Sequence, residues 1–444
     1  MFSSLLLQHG ALIISLIVFI AVFSIIVLEW FDKTVAAMAG GIFLILSRVI
    51  TFDQAVEAVN FEIIALLGAM MIIVQIAQES GLFTLVNFKL AKYSRGNPFL
   101  IFLFFTLVTA FASAFLDNVT TILIVAPLTI SLVRGMGYNP FPFLIAEIML
   151  SNIGGALTLV GDPPNVLVGT AVGLSFNSFI VNLSIPIFII IVVTLLLFYI
   201  IRWADLKPIR HHLPKLFLSN VLLQKIQYEH QKTPLDKMYM IKVTTVLVLT
   251  VLGFLFQFAL HLPIASIALT GAFVLMLVVH KRIHAHHIFS SIEWPTLGFF
   301  AGLFVIVSGL EHTGVLEMIA ASIVQLTSNF NVLLLLILWS AGLFSMVIDN
   351  IPFVTVMIPI LANVKVHFSA DPHVELLWWA LILGAALGGN GTMIGASANV
   401  IGVDIARKNG VDITFWGYFK YSFPLTLVAL AICSAYLLIR ANYF

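Results

Sequence analysis

The chain holds a single cysteine, Cys433, which excludes an internal disulfide and a cysteine-built metal cluster. Charge is scarce. Asp, Glu, Lys and Arg make up 9% of the 444 residues, against about 25% in an ordinary soluble domain. The 21 basic and 20 acidic residues leave a net charge of +1, so net charge says nothing about partners, while a composition this poor in charge excludes a nucleic-acid binder. No phosphate-binding glycine loop and no nucleophile constellation is visible, which argues against an enzyme and against an internal ATPase. What fills the chain is apolar: 61% of residues, with a mean hydropathy of +1.12. A soluble fold or a disordered chain needs far more polar surface, so the composition defines an all-α polytopic membrane protein.

A transmembrane helix needs about 20 mostly apolar residues. Apolar runs lie near 5–28, 34–50, 61–78, 98–133, 141–173, 179–201, 239–259, 263–280, 294–310, 331–364, 376–402 and 418–440. The first is too long for a signal-peptide core and is read as a span. Runs 98–133 and 331–364 are too long for one pass and are interrupted by Asp117-Asn118 and Asp349-Asn350, so each is read as a re-entrant hairpin or two passes. Runs 141–173 and 376–402 are broken by GDPPN (161–165) and GASAN (395–399) and are read as spans interrupted at membrane depth. The expectation is a first repeat over 1–202, a cytoplasmic linker over 203–238 and a second repeat over 239–444, with five spans and one hairpin each. Five is odd, so the second repeat is inverted relative to the first.

With both termini outside, only Arg48, Lys365 and Arg440 of the 21 basic residues fall outside, and the other 18 fall inside. The positive-inside rule favours this orientation, in a cytoplasmic (inner) membrane with the linker in the cytoplasm. It also leads to the expectation that no Lys or Arg sits deep in the membrane.

The halves match in sequence. Asp117/Asp349, Asn118/Asn350 and Pro127/Pro359 are each 232 apart. Gly154/Gly388, Gly155/Gly389, Thr158/Thr392, Gly161/Gly395, Asn165/Asn399 and Val166/Val400 are each 234 apart. Matches on Asp, Asn, Gly, Thr and Pro are hard to produce by chance in a Leu/Ile/Val-rich chain. Inverted repeats with broken helices belong to secondary transporters, whose solute site lies near the midplane. Irregular backbone at that depth must be buried in protein or face a water-filled cavity. The four interruptions should therefore converge on one polar chamber.

Asp117 and Asp349 lead the candidates, because a carboxylate at membrane depth costs about 2.5–3.5 kcal/mol on insertion scales. Each is also a good N-cap for the second arm of its hairpin, and the two roles are compatible. Asp162 in GDPPN reads as a cap before Pro163 or as a proton acceptor; its repeat position is Ala396, so the architecture does not demand the charge. Glu147 reads as a relay residue or as a paired residue of the bundle. Asn118, Asn152, Asn165, Asn350, Asn390 and Asn399 offer donors and acceptors, and Thr120, Thr158, Thr392 and Ser397 add hydroxyls. Gly161 and Gly395 permit close approach of backbone and ligand. His280, His284, His286 and His287 read as a solvated turn, and no metal site or cofactor is expected. Aspartates without a basic partner disfavour a multiply charged anion and favour a small cation or a neutral polyhydroxy solute such as the trihydroxide of arsenite.

SNIGGALTLVGDPPNV (151–166), AFLDNVTTILIVAPLTI (114–130), MVIDNIPFVTVMIPIL (346–361), GAALGGNGTMIGASANVIG (384–402) and EWPTLGFFAGLFVIVSGL (293–310) resemble the arsenite permease and P-protein branch of the ion transporter superfamily, which includes Na+/H+ exchangers. The resemblance spans nearly the whole chain. It implies an inverted-repeat fold with two hairpins and elevator-type alternating access. It also implies solute and sodium binding at the hairpin tips and the broken segments. With the acidic residues, it leads to the expectation of proton-coupled efflux of arsenite and antimonite, with Na+/H+ antiport or an anion pathway as alternatives. A homodimer and a cytoplasmic ATPase are the partners considered beside the solute and the bilayer.

Overall fold

The computed structural model describes residues 2–28, 30–94, 96–206, 236–369 and 371–443. Most of the expected linker, 207–235, lies outside the described residues, as do Arg95 and the linker's basic residues from Lys207 to Lys232. Among the described residues there is no strand. The first half runs α1 (Phe2–Val27), α2 (Lys33–Leu46), α3 (Phe52–Ala58), α4 (Phe61–Glu79), α5 (Leu82–Ser94), α6 (Pro98–Ser113), α7 (Asn118–Gly135), α8 (Phe141–Gly155), α9 (Pro163–Val172), α10 (Phe176–Ile201) and α11 (Trp203–Leu206). The second runs α12 (Lys237–Leu255), α13 (Gln257–Leu260), α14 (Ile264–Val278), α15 (Ala285–Ser290), α16 (Trp294–His312), α17 (Val315–Leu326), α18 (Phe330–Ser345), α19 (Asn350–His367), α20 (Leu376–Gly388), α21 (Ser397–Lys408) and α22 (Phe415–Tyr443).

Apart from the single-turn helices α11 and α13, the order of the first half recurs in the second. The packing follows the same exchange. Helix α2 packs on α16, and its counterpart α14 packs on α4, the counterpart of α16. Likewise α7 packs on α21, and α19 packs on α9. Partners swapped in this way are what a two-fold pseudo-symmetry axis between the halves produces.

Eight of the described helices are long and apolar enough to cross a membrane. Helices α2 and α14 are shorter, at 14 and 15 residues. At 1.5 Å per residue α2 rises only about 21 Å. It stops because Arg48 turns the chain at a φ of 60°, after which Thr51 and Gln54 form a capping box for α3. Helix α2 lies close against α16 because both present small residues: a Cβ on Gly302 would stand 2.6 Å from the Ala37 backbone.

The hairpin arms meet at sharp turns. Helix α6 ends at Ser113, and Asp117 opens α7 by accepting from the Thr120 amide at 2.8 Å. Helix α18 ends at Ser345, and Asp349 opens α19 by accepting from the Ile351 amide. Beside each hairpin lies a broken pair, α8–α9 and α20–α21. Helices α8 and α20 are buried along nearly their whole length, which explains the unbroken apolar pattern of α20.

Candidate functional site

The two hairpin tips and the two helix breaks converge. Asp117, Asn118 and Thr120 from the first tip, Asp349 and Asn350 from the second, Asn152 and Asp162 from the first broken pair and Ser397 from the second line one cavity of about 320 Å³. The N-termini of α7, α9, α19 and α21 all border it, so their unpaired N–H groups add partial positive charge to its wall.

The sequence reading placed no cation in this chamber, and the structure overturns that. Lys33, the first residue of α2, reaches into the cavity with Nζ 2.8 Å from Asp349 Oδ2 and 3.4 Å from Ser397 Oγ. Its ammonium lies 5.2 Å from the ring centre of Phe299. The Asp349 side chain is 15% exposed and that of Lys33 35%, so the pair is shielded from solvent. Beside it Asp32 caps α2, and the Val35 backbone N–H foremost holds that exposed carboxyl below its ordinary value. Lys33 looked like a loop residue because it falls between the apolar runs 5–28 and 34–50; its approach to Asp349, 316 positions away, is purely tertiary.

Five further polar residues of the wall were also missed, Ser291 among them. Glu293, at the N-terminus of α16, lines the cavity with Thr296, which donates to it at 3.0 Å. Gln75 and Gln78 line it from α4. Those two stood in the sequence as polar residues three apart on one face of an otherwise apolar helix, a signal that could have found them.

Other candidates take structural posts away from the cavity. Thr158 donates to the Ala114 carbonyl and Thr392 to that of Met346, lacing each helix break to the neighbouring hairpin tip. The Asn165 amide donates to the Gly155, Ala156 and Thr158 carbonyls, and the Asn399 amide to those of Gly389 and Thr392. Gly161 and Gly395 permit close approach of backbone to backbone, not to a ligand. A Cβ there would stand 2.5 Å from the Gly155 carbonyl and 2.7 Å from that of Gly389. Glu147 is buried between α7 and α8, accepts from Thr129 at 2.5 Å and does not border the cavity.

Asn152 ties the halves together. Its amide donates at 2.8 Å to both Asn390 and Asn399 of the second half, and its carbonyl accepts from Asn118 at 3.2 Å. Asn390 also donates to the Met149 carbonyl. Among the described residues, one carboxyl oxygen of Asp162, Oδ2, is buried without a partner. Such an oxygen has capacity for a proton, a cation or a donor from a solute. Among the described residues, four acidic side chains, Asp117, Asp162, Asp349 and Glu293, thus line one cavity with Lys33, and Asp349 is the one in contact with its ammonium.

Paired broken helices and hairpins around a shared polar chamber, in an apolar all-helical chain with pseudo-two-fold packing, define a membrane transporter of inverted-repeat type. The sequence profile of the citrate transporter family CitMHS matches residues 23–384, and the chain belongs to that family. A 46 kDa membrane protein of Mycobacterium leprae is 35% identical, covering 96% of this chain and 98% of its own length. An uncharacterised transporter of Mycobacterium tuberculosis is 36% identical over 96% of this chain and 98% of its own. The P protein of Mus musculus is 32% identical over 94% of this chain and 59% of its own length. Among solved structures, the Alcanivorax borkumensis YdaH transporter shares the fold at a TM-score of 0.56. It is 16% identical and covers 89% of this chain and 90% of its own.

Proposed function

We propose that this membrane transporter is a secondary active, proton-coupled exporter of a small polyhydroxy solute, with arsenite and antimonite as the solutes. The observation that carries the reading is the convergence of Asp117, Asp162 and Asp349 with Asn118, Asn152, Asn350 and Ser397 on one cavity. The carboxylates accept the coupling proton, with Na+ as the alternative ion, and the amides and hydroxyls bind the solute's hydroxyl groups. No thiol takes part, since Cys433 is fully buried in α22. Helices α6–α9 with α18–α21 move as the transport unit against α2, α4, α14 and α16, in an elevator-type cycle. The protein lies in the cytoplasmic membrane with both termini outside.

A second reading has its own observation. Lys33 supplies the full positive charge that the sequence had seemed to withhold, and a carboxylate-bearing solute could pair with it, as the name of the family suggests. One assay separates the readings: everted vesicles with an imposed pH gradient, given arsenite, antimonite, citrate and Na+ in turn. Gradient-driven arsenite accumulation supports the first reading, and citrate flux supports the second. Sodium-dependent dequenching of a pH dye with no solute flux would identify a Na+/H+ antiporter instead.

A further inference from the structure

A second cavity, of about 280 Å³, adjoins the first; it is lined by Ile26, Val27, Phe31, Ile394 and Val400 among others, and Phe31, Ile394 and Val400 are exposed along it. The two cavities share three lining residues: Lys33, Asp349 and Ser397. These are the residues joined by the ammonium, with Nζ at 2.8 Å from Asp349 and 3.4 Å from Ser397, and Ser397 Oγ also 3.4 Å from Asp349 Oδ2. The ion pair therefore lies where the two cavities meet. It also joins three separate pieces of the fold: the start of α2, the tip of the second hairpin and the break before α21.

The repeat breaks here. Helix α2 begins at Lys33, while its counterpart α14 begins at Ile264, within Ile-Ala-Ser. Asp117, the mate of Asp349, bonds instead to Thr120 on its own helix, through the amide and the hydroxyl. A pseudo-symmetric frame with one added ammonium gives the two aspartates different work.

We propose that Lys33 is a tethered cation that occupies the ion-binding carboxylate of Asp349 and closes the passage between the two cavities. A proton or a monovalent cation arriving at Asp349 displaces the ammonium and opens the passage. The proton adds to Asp349 Oδ2, and Lys33 stays charged and turns toward the remaining carboxylates, Asp117, Asp162 and Glu293, which face the same chamber from the other walls. Asp32, its exposed neighbour, is engaged in capping α2 through the Thr34 and Val35 amides. The aromatic face of Phe299 steadies the ammonium on either side of this exchange. Without the tether, Asp349 takes up and releases protons with the passage open, and the protein leaks. This inference rests on the proton-coupled reading above but needs no knowledge of the solute.

The test uses the full chain in liposomes with an enclosed pH dye, potassium and valinomycin to clamp the voltage, and no solute. With a pH gradient imposed, Lys33→Met should dissipate it at least tenfold faster than the wild type, while Lys33→Arg should hold it as the wild type does. Adding Asp349→Asn to Lys33→Met removes the proton acceptor and should restore tightness. A tight Lys33→Met, or a double variant that leaks like the single one, overturns the proposal. If Lys33→Met does not insert, Asp349→Asn is acylated at amines and read by mass spectrometry. Lys33 should then label several-fold faster than in the wild type, and an unchanged rate overturns the proposal. Absence of arsenite flux bears on the function proposed above and leaves these readouts intact.

Discussion

The six candidate asparagines look alike in the sequence and fall into three kinds in the structure. Asn165 and Asn399 brace helix breaks, Asn152 with Asn118 and Asn390 fastens the halves, and Asn350 borders the cavity with no hydrogen bond from its side chain to the described protein. An unmade bond to a buried polar group costs about 1–3 kcal/mol. Asn152→Ala strands Asn390 Oδ1 and Asn399 Oδ1, so it should lower stability by about 2–4 kcal/mol on that scale, seen as a marked fall in melting temperature by intrinsic fluorescence. Asn350→Ala breaks no side-chain hydrogen bond among the described residues and loses only packing at a buried position, so it should cost less, about 1 kcal/mol. It should nevertheless weaken transport severalfold through a raised KM. Equal melting shifts for the two variants would show that the bonding pattern does not sort their roles. The residue types were legible in the sequence because polar groups stand out in an apolar chain. Their division of labour was not, since it depends on which amide turns back to its own helix break, within ten positions, and which faces a partner more than 200 positions away.

At the scale of helices, the repeat was the most legible feature, because each break and hairpin tip carries residues that apolar helices avoid. What the glycines among them do needed the structure. A Cβ on Gly154 would stand 2.1 Å from the Ala110 carbonyl, and one on Gly388 would stand 2.3 Å from the Gly342 carbonyl. These are matching contacts of α8 with α6 and of α20 with α18, made against backbone that cannot yield as a flexible side chain can. Overpacking of a core costs about 1–3 kcal/mol and more when the backbone must shift. Gly154→Ala and Gly388→Ala should therefore each cost at least that much and should resemble each other, because the two contacts are pseudo-symmetric. Gly10→Ala in α1, where the added methyl meets nothing within 4 Å, should be neutral or stabilise by up to about 1 kcal/mol through helix propensity. Denaturation of the three variants in one detergent gives the comparison; a Gly154 variant as stable as the Gly10 variant would contradict the packing argument.

At the scale of the molecule, the cavity and the basic residues can be set against each other. The main cavity is lined by Lys33 at the start of α2, Gln75 and Gln78 near the end of α4, and Ser291 and Glu293 just before α16. In the orientation proposed above from the basic residues, each of these helix ends would lie on the cytoplasmic side, with Lys89, Lys92, Lys281 and Arg282 following or preceding them closely. The chamber would then open inward in this conformation, with solute entering from the cytoplasm as export requires. A cysteine at Gln78, placed in a Cys433→Ala background, should react with a membrane-impermeant maleimide in everted vesicles and stay unreactive in right-side-out ones. Reaction from the outer face alone would reverse the orientation derived from the basic residues, and with it the inward direction assigned to the chamber. Protection by arsenite in the everted vesicles, at the concentration that drives flux, would further place the solute in the chamber between the hairpin tips.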